Sequence, residues 1–301
     1  MLPFHSVRAN IAQERDEVRA AGVQKIMAQI VGGFGVPHTP IFPHFVKRDG
    51  PDCEIARLFG AQKDQLAATR PDVIVMFDTD HLNTFFLDAL PVFAMGVDKT
   101  FKAPNDEPRD VPNYLVPSRP DLAAHIRQAG IDAGFDVGMT QNFSVDHSVI
   151  VPLHFLTPDM GIPVVPFFIS GHVPPLPSAQ RCYALGQAVG RAIESWPENK
   201  RVVVMGSGSF SLEVGGPRMS PGRADGVPDP EWCARVIKLM EGQQIDTLIK
   251  ESTQHQMLKA GNVGGELLNW IAMLGAIGNR KPNYIAPQMQ NGHAYGVWRR
   301  N

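Results

Sequence analysis

The chain has 301 residues, 44% hydrophobic and 19% charged, with a formal net charge of −2. That length buries a substantial core in one large α/β domain or two small ones, and the near-neutral balance draws in neither nucleic acid nor an anionic membrane. Cys53, Cys182 and Cys233 stand far apart and form no CxxC pair, which argues against a disulfide scaffold and for a reducing, cytoplasmic compartment.

The first 24 residues lack the apolar stretch of a secretory signal and read as an appendage, with one domain over 25–301. No uncharged apolar run reaches the length of a membrane span, so no transmembrane helix is expected. "KIMAQIVGGF" predicts a first buried strand, with His38 just beyond it in "GVPHTP". "DCEIARLFGAQKDQLAATR" has helical periodicity. "DVIVMFD" predicts a second strand and runs into "TDH", placing Asp78, Asp80 and His81 at its end. "PVFAMGV" is a third strand, and the proline-rich "KAPNDEPRDVPNYLVPSRP" a long ordered loop. "RPDLAAHIRQAGIDAGF" is a helix, and "SVDHSVIVPLHFL" a helix or a strand. "PVVPFFI", the loop "HVPPLPSAQ", the helix "AQRCYALGQAVGRAIESW" and the strand "RVVVMGS" follow. "PDPEWCARVIKLMEGQQIDTLIKE" and "GGELLNWIAMLGAIG" add helices, and "PNYIAPQMQNGHAYGVWRR" closes the chain in extended form. Short Val/Ile/Phe runs alternating with helical segments predict a single α/β domain, its sheet mixed but mainly parallel and flanked by helices.

In such folds ligands collect beyond the carboxyl ends of the strands. His38 and His81 both occupy that position, and imidazole suits divalent iron or zinc. Glu266 follows two glycines and opens a strongly apolar helix, where a carboxylate is costly unless it meets a cation. Two histidines and a carboxylate would make a facial triad with open positions. The plainer alternatives are hydrogen-bonded loop histidines and a glutamate favouring the positive end of its helix. Asp146 and His147 form either a carboxylate-held acid/base pair or an N-cap with its first-turn residue. The glycine loop "MGSGSFSLEVGGPR" has no Lys-Ser/Thr for a P-loop and has Ser211 where a dinucleotide fingerprint needs its third glycine. It is not a GxSxG turn either.

In order along residues 28–297, the blocks "GVPHTP", "PDVIVMFDTDH", "VPSRPDLAAHI", "VDHSVIVPL", "RCYALG", "GSGSFS" and "GGELLNWIAMLGA" resemble the class III extradiol ring-cleavage dioxygenases. The likeness is to the catalytic β subunit of protocatechuate 4,5-dioxygenase and to gallate dioxygenase. The resemblance implies that 25–301 is an extradiol-type catalytic domain with Fe(II) held by His38, His81 and Glu266. It implies that His147, oriented by Asp146, lies beside substrate and O2. The substrate would be an aromatic ring with adjacent hydroxyls, or with a hydroxyl and an amino group. Asn291 and Gly292 match the family's carboxylate-contacting segment loosely, which would make it an aromatic acid. Members work as dimers or larger assemblies, some with a small helical partner subunit, so a homo-oligomer is expected.

One departure bears on function. The family carries an acid/base histidine after the serine of the glycine loop; here Ser211 is followed by Leu212. Leucine transfers no proton, and losing one acid/base group costs about 10²–10⁴ in rate. A substrate that needs no relay there, one that packs an apolar group against Leu212, or a replacement base such as His293, with Tyr284 and Tyr295 nearby in sequence, would account for it. The alternatives are a non-catalytic subunit paired with an active homologue, and a different metal-dependent reaction at the same site.

Overall fold

Short β-branched runs pair into an eight-stranded sheet in this computed structural model, which describes residues 27–222 and 226–300. The predicted 1–24 appendage lies outside them. The strands are β1 (Gln29–Val36), β2 (Val73–Asp78), β3 (Phe93–Gly96), β6 (Val137–Thr140), β7 (Val164–Ile169), β8 (Arg201–Ser207), β11 (Tyr284–Gln288) and β12 (His293–Arg299). Their order is β11-β12-β1-β8-β2-β7-β3-β6. The central four, β1, β8, β2 and β7, are parallel. β12 joins β1 and β3 joins β7 antiparallel, so the sheet is mixed, as expected.

The strands read as continuous apolar runs because both faces are buried. Val73, Val75 and Phe77 of β2 point to one core, Ile74 and Met76 to the other. The first core is closed by α3 (Pro120–Asp132), α5 (Ala179–Ser195), α6 (Pro230–Glu241) and α9 (Leu267–Ile277). The second is closed by α1 (Phe42–Asp49), α2 (Glu54–Thr69) and α4 (His147–Leu156). Helices α5 and α9 pack backbone to backbone, since a Cβ on Gly186 would run into the carbonyl of Ala272. The terminal apolar helix is therefore held rigidly against the sheet. Two short helices, α7 (Ile245–Glu251) and α8 (Gln254–Ala260), lie between α6 and α9.

The segment left open as helix or strand is α4. Asp146 caps it by accepting the Ser148 N–H at 2.9 Å, satisfying a donor the helix itself leaves free. The first proline-rich loop contains a hairpin, β4 (Thr100–Ala103) with β5 (Tyr114–Pro117). Val145 N–H donates to Lys102 O at 3.0 Å and Asn105 N–H to Val145 O at 2.9 Å, which ties this loop to the start of α4. The glycine loop makes a small ribbon, β9 (Leu212–Glu213) with β10 (Val227–Pro228). No described helix is long and apolar enough to cross a membrane.

Candidate active site

All four central strands run the same way, so their carboxyl ends share one edge of the sheet. His38 lies two residues past β1, His81 three past β2 and His172 three past β7; β8 ends at Ser207. Glu266 reaches the same edge from the turn before α9 and is 1% exposed. Asn269 Nδ2 donates to the Ser207 carbonyl at 2.7 Å and the Trp270 indole N–H to the Gly208 carbonyl at 3.1 Å, fastening that turn to the glycine loop. Gly208 has φ +143°, and a Cβ there would strike the Glu266 side chain. The next residue, Ser209, donates its backbone N–H to Glu266 Oε2 at 2.6 Å. The glycine loop is thus a carboxylate cradle.

The imidazoles converge on the other oxygen, Glu266 Oε1. His38 Nε2 lies at 3.1 Å and His81 Nε2 at 3.3 Å. His38 Nδ1 lies 2.8 Å from Ser207 Oγ, whose own proton goes to the Ser148 carbonyl at 2.7 Å. The hydroxyl therefore accepts from His38 Nδ1–H, and the Nε2 lone pair faces Glu266. His81 Nδ1–H donates to Asp146 Oδ2 at 3.0 Å, which likewise commits Nε2 to Glu266. Two imidazole lone pairs aimed at a buried carboxylate oxygen repel it unless a cation lies between. A divalent metal would meet that demand, and Asp146 and Ser207 would then fix each ring from outside.

Burial alone would lower the His81 pKa, but Asp146 and Glu266 outweigh it and push it up to about 10. Burial would raise that of Glu266, but facing His38 and the histidine contacts hold it well below the carboxylate range. His38 is lowered, chiefly by burial. Asp78 lies fully buried below, where burial first, then Asp146 and Asp80, raise its pKa well above the carboxylate range. Asp80 accepts the backbone N–H of Thr84 and of Phe85, both at 2.9 Å, and shapes the turn that carries His81.

One expectation is corrected. Asp146 was to orient His147, but its carboxylate takes the His81 backbone N–H at 2.8 Å as well as the ring N–H. The reason is position. As the N-cap of α4 it points back along the helix toward the β2 loop. His147 Nδ1 instead pairs with Asp106 Oδ2, from the loop between β4 and β5. His172 and Asp106 were not anticipated. His172 obeys the same strand-end rule as His38 and His81, whereas Asp106 sits in a proline-rich segment without periodicity.

A cavity of about 140 Å³ opens at this edge, lined by His38, His81, His147 and Glu266 together with Pro40, Leu212, Val214 and Val263. That is the size of an engineered apolar cavity that holds benzene. Leu212, where the family histidine was expected, is in the wall. His293, Asn291 and Gly292 are not. His293 is fully buried with Nε2 2.7 Å from Gln288 Oε1, and burial, reinforced by His38, pushes its pKa down to about 3. Gly292 backs the glycine loop, its carbonyl accepting the N–H groups of Phe210 and Ser211 at 3.2 Å. Tyr284 and Tyr295 lie in β11 and β12, also outside the cavity wall.

Histidine and carboxylate donors beside a ring-sized pocket are the equipment of oxygen-using non-haem metal enzymes. Residues 32–298 match the family described as the catalytic LigB subunit of aromatic ring-opening dioxygenase. The chain belongs to this family, the class III extradiol dioxygenases, and is an extradiol-type ring-cleavage oxidoreductase. A relative from Klebsiella pneumoniae (strain 342), a 2,3-dihydroxyphenylpropionate/2,3-dihydroxicinnamic acid 1,2-dioxygenase, is 34% identical over 224 residues, covering 74% of this chain and 67% of its own. One of the same name from K. pneumoniae subsp. pneumoniae is 33% identical over 279 residues, covering 80% and 87%. The crystal structure of uncharacterized protein JW3007 from Escherichia coli K12 superposes with a TM-score of 0.57 at 16% identity, over 90% of this chain and 100% of that one, a likeness of fold.

Proposed function

We propose that this chain is an Fe(II) dioxygenase that opens a single aromatic ring bearing adjacent hydroxyls, or a hydroxyl and an amino group. The observation that carries the reading is the convergence of His38 and His81 on Glu266 Oε1 at the wall of a ring-sized cavity. Fe(II) bound there would supply a Lewis-acidic, redox-active centre with open positions for ring oxygens and O2. Two neutral imidazoles and one carboxylate leave a divalent ion with net positive charge, which favours a deprotonated phenol. His147, its Nδ1 tied to Asp106, offers Nε2 as the proton acceptor for a substrate hydroxyl. Asp146 serves through His81. Leu212, Val214 and Val263 exclude water and receive an apolar face or substituent of the ring. His293 supports the wall from behind. A carboxylated substrate contacting Asn291 and Gly292 has less support than an apolar one, since neither residue lines the cavity. A cytoplasmic homo-oligomer, with or without a small helical subunit, completes the reading; the free cysteines and exposed Phe86 and Leu87 favour it.

The test is anaerobic Fe(II) loading followed by oxygen uptake with neutral and carboxylated catechols, gallate and aminophenols. No uptake at full iron occupancy overturns the proposal, and full zinc occupancy without oxygen chemistry points to another metal-dependent reaction. Metal entry must also displace a proton from His81, whose pKa Asp146 and Glu266 push up to about 10 against the effect of burial. Unbuffered titration at pH 7 should therefore release about one proton per metal, and affinity should rise about tenfold per pH unit. Release near zero would show His81 neutral. Leu212→His puts an imidazole into the wall of the cavity that His38, His81 and Glu266 also line. Turnover of simple catechols should rise about tenfold or more; unchanged turnover at full occupancy would show the proton path complete without it.

A further inference from the structure

His172 is the nearest imidazole to Glu266, with Nε2 2.9 Å from Oε1. Its ring centroid lies 4.5 Å from that of His81, edge to face. It does not border the ring-sized cavity. It lines a separate small pocket with Asp80, Phe85 and Phe168, behind the site. Its loop is locked to the turn carrying Glu266, since a Cβ on Gly171 would meet the Gly265 carbonyl.

Counting protons assigns its role. His38 and His81 have their Nδ1 protons committed, so each shows Glu266 Oε1 a lone pair when a metal is bound. His172 Nδ1 has no partner among the described residues, which leaves its ring free to carry the proton on Nε2. A carboxylate oxygen has two in-plane lone pairs. One is needed for the metal, and the other matches a donor at 2.9 Å. Resting on the metal-site reading above, the geometry points to His172 as a positioning residue. Its Nε2–H donates to Oε1 while the Ser209 N–H holds Oε2, so Glu266 is clamped at both oxygens and presents one lone pair to the metal. His172 lies outside the cavity wall, so this clamp would leave the cavity to substrate and O2.

The experiment uses Co(II) as the probe, read by its visible spectrum and by chelator competition, in the full chain and in His172→Ala and His172→Gln. Loss of an outer partner costs 10–100-fold in metal affinity. His172→Ala should show that loss with the Co(II) band shape kept, and His172→Gln, which retains an N–H donor, should recover to within about threefold of the parent. Unchanged affinity in His172→Ala overturns the role. An altered band shape also overturns it, by making His172 a direct ligand. If the alanine variant fails to fold, the glutamine variant decides on the same criterion: parental affinity supports the role, and a 10–100-fold loss refutes it. A parent chain that binds no Co(II) instead defeats the dioxygenase reading itself.

Discussion

Glu266→Ala should lose metal retention and, with it, oxygen uptake on every ring substrate. The carboxylate is buried, its Oε1 faces His38, His81 and His172, and its Oε2 takes the Ser209 N–H. Removing it deletes the anionic donor and leaves buried imidazoles without the counter-charge that sets their geometry. Outer partners of a metal site already cost 10–100-fold in affinity when lost, so deleting a ligand should cost more than about 100-fold. Glu266→Gln separates the two effects: it keeps the side-chain volume and an acceptor for Ser209 but removes the charge. Equilibrium dialysis with Fe(II) or Co(II) reads the result, and full metal content in Glu266→Ala would place the metal elsewhere.

The second large effect belongs to His147. His147→Gln should lower kcat by about 10²–10⁴ while metal content stays at the parental level. Its ring lines the cavity 5.5 Å from His38 and 4.1 Å from His81, centroid to centroid, yet its anchor is Asp106 and not Glu266. With leucine at 212, no imidazole from the glycine loop shares the proton work. Steady-state oxygen uptake on iron-loaded protein reads the effect. A fall of less than about tenfold would show that substrate loses its proton elsewhere, and loss of metal along with activity would make His147 a ligand.

Much of the site was legible because it follows strand ends. "DVIVMFDTDH" announces a buried strand and a polar residue just past it, and parallel strands of one sheet necessarily bring such residues to one edge. Glu266 was legible for the opposite reason, as a charge that its apolar helix cannot solvate. His172 was equally accessible by the strand-end rule after "PVVPFFI", but its loop "HVPPLP" reads as a connection. Asp106 had no local signal. Its pairing with His147 exists because the β4–β5 hairpin folds across the start of α4, contacts separated by 41 residues.

The same distance effect divided the Asp-His pair. Adjacent in sequence, Asp146 and His147 were natural partners on paper. In the helix cap their side chains diverge, one to the β2 loop and one to the hairpin loop. Local order alone determined the strands and helices, the family, and the strand-end histidines and buried glutamate proposed to hold the metal, with leucine at 212 beside them. These depend on hydrophobic period, on buried charge and on residue identity, all of which act within one segment. Tertiary structure alone decided which carboxylate holds which histidine, that the glycine loop cradles Glu266, that His172 backs it, and that Asn291, Gly292 and His293 stand behind the wall. Those choices turn on orientations and distances of a few ångström between segments far apart in the chain, which no local pattern encodes.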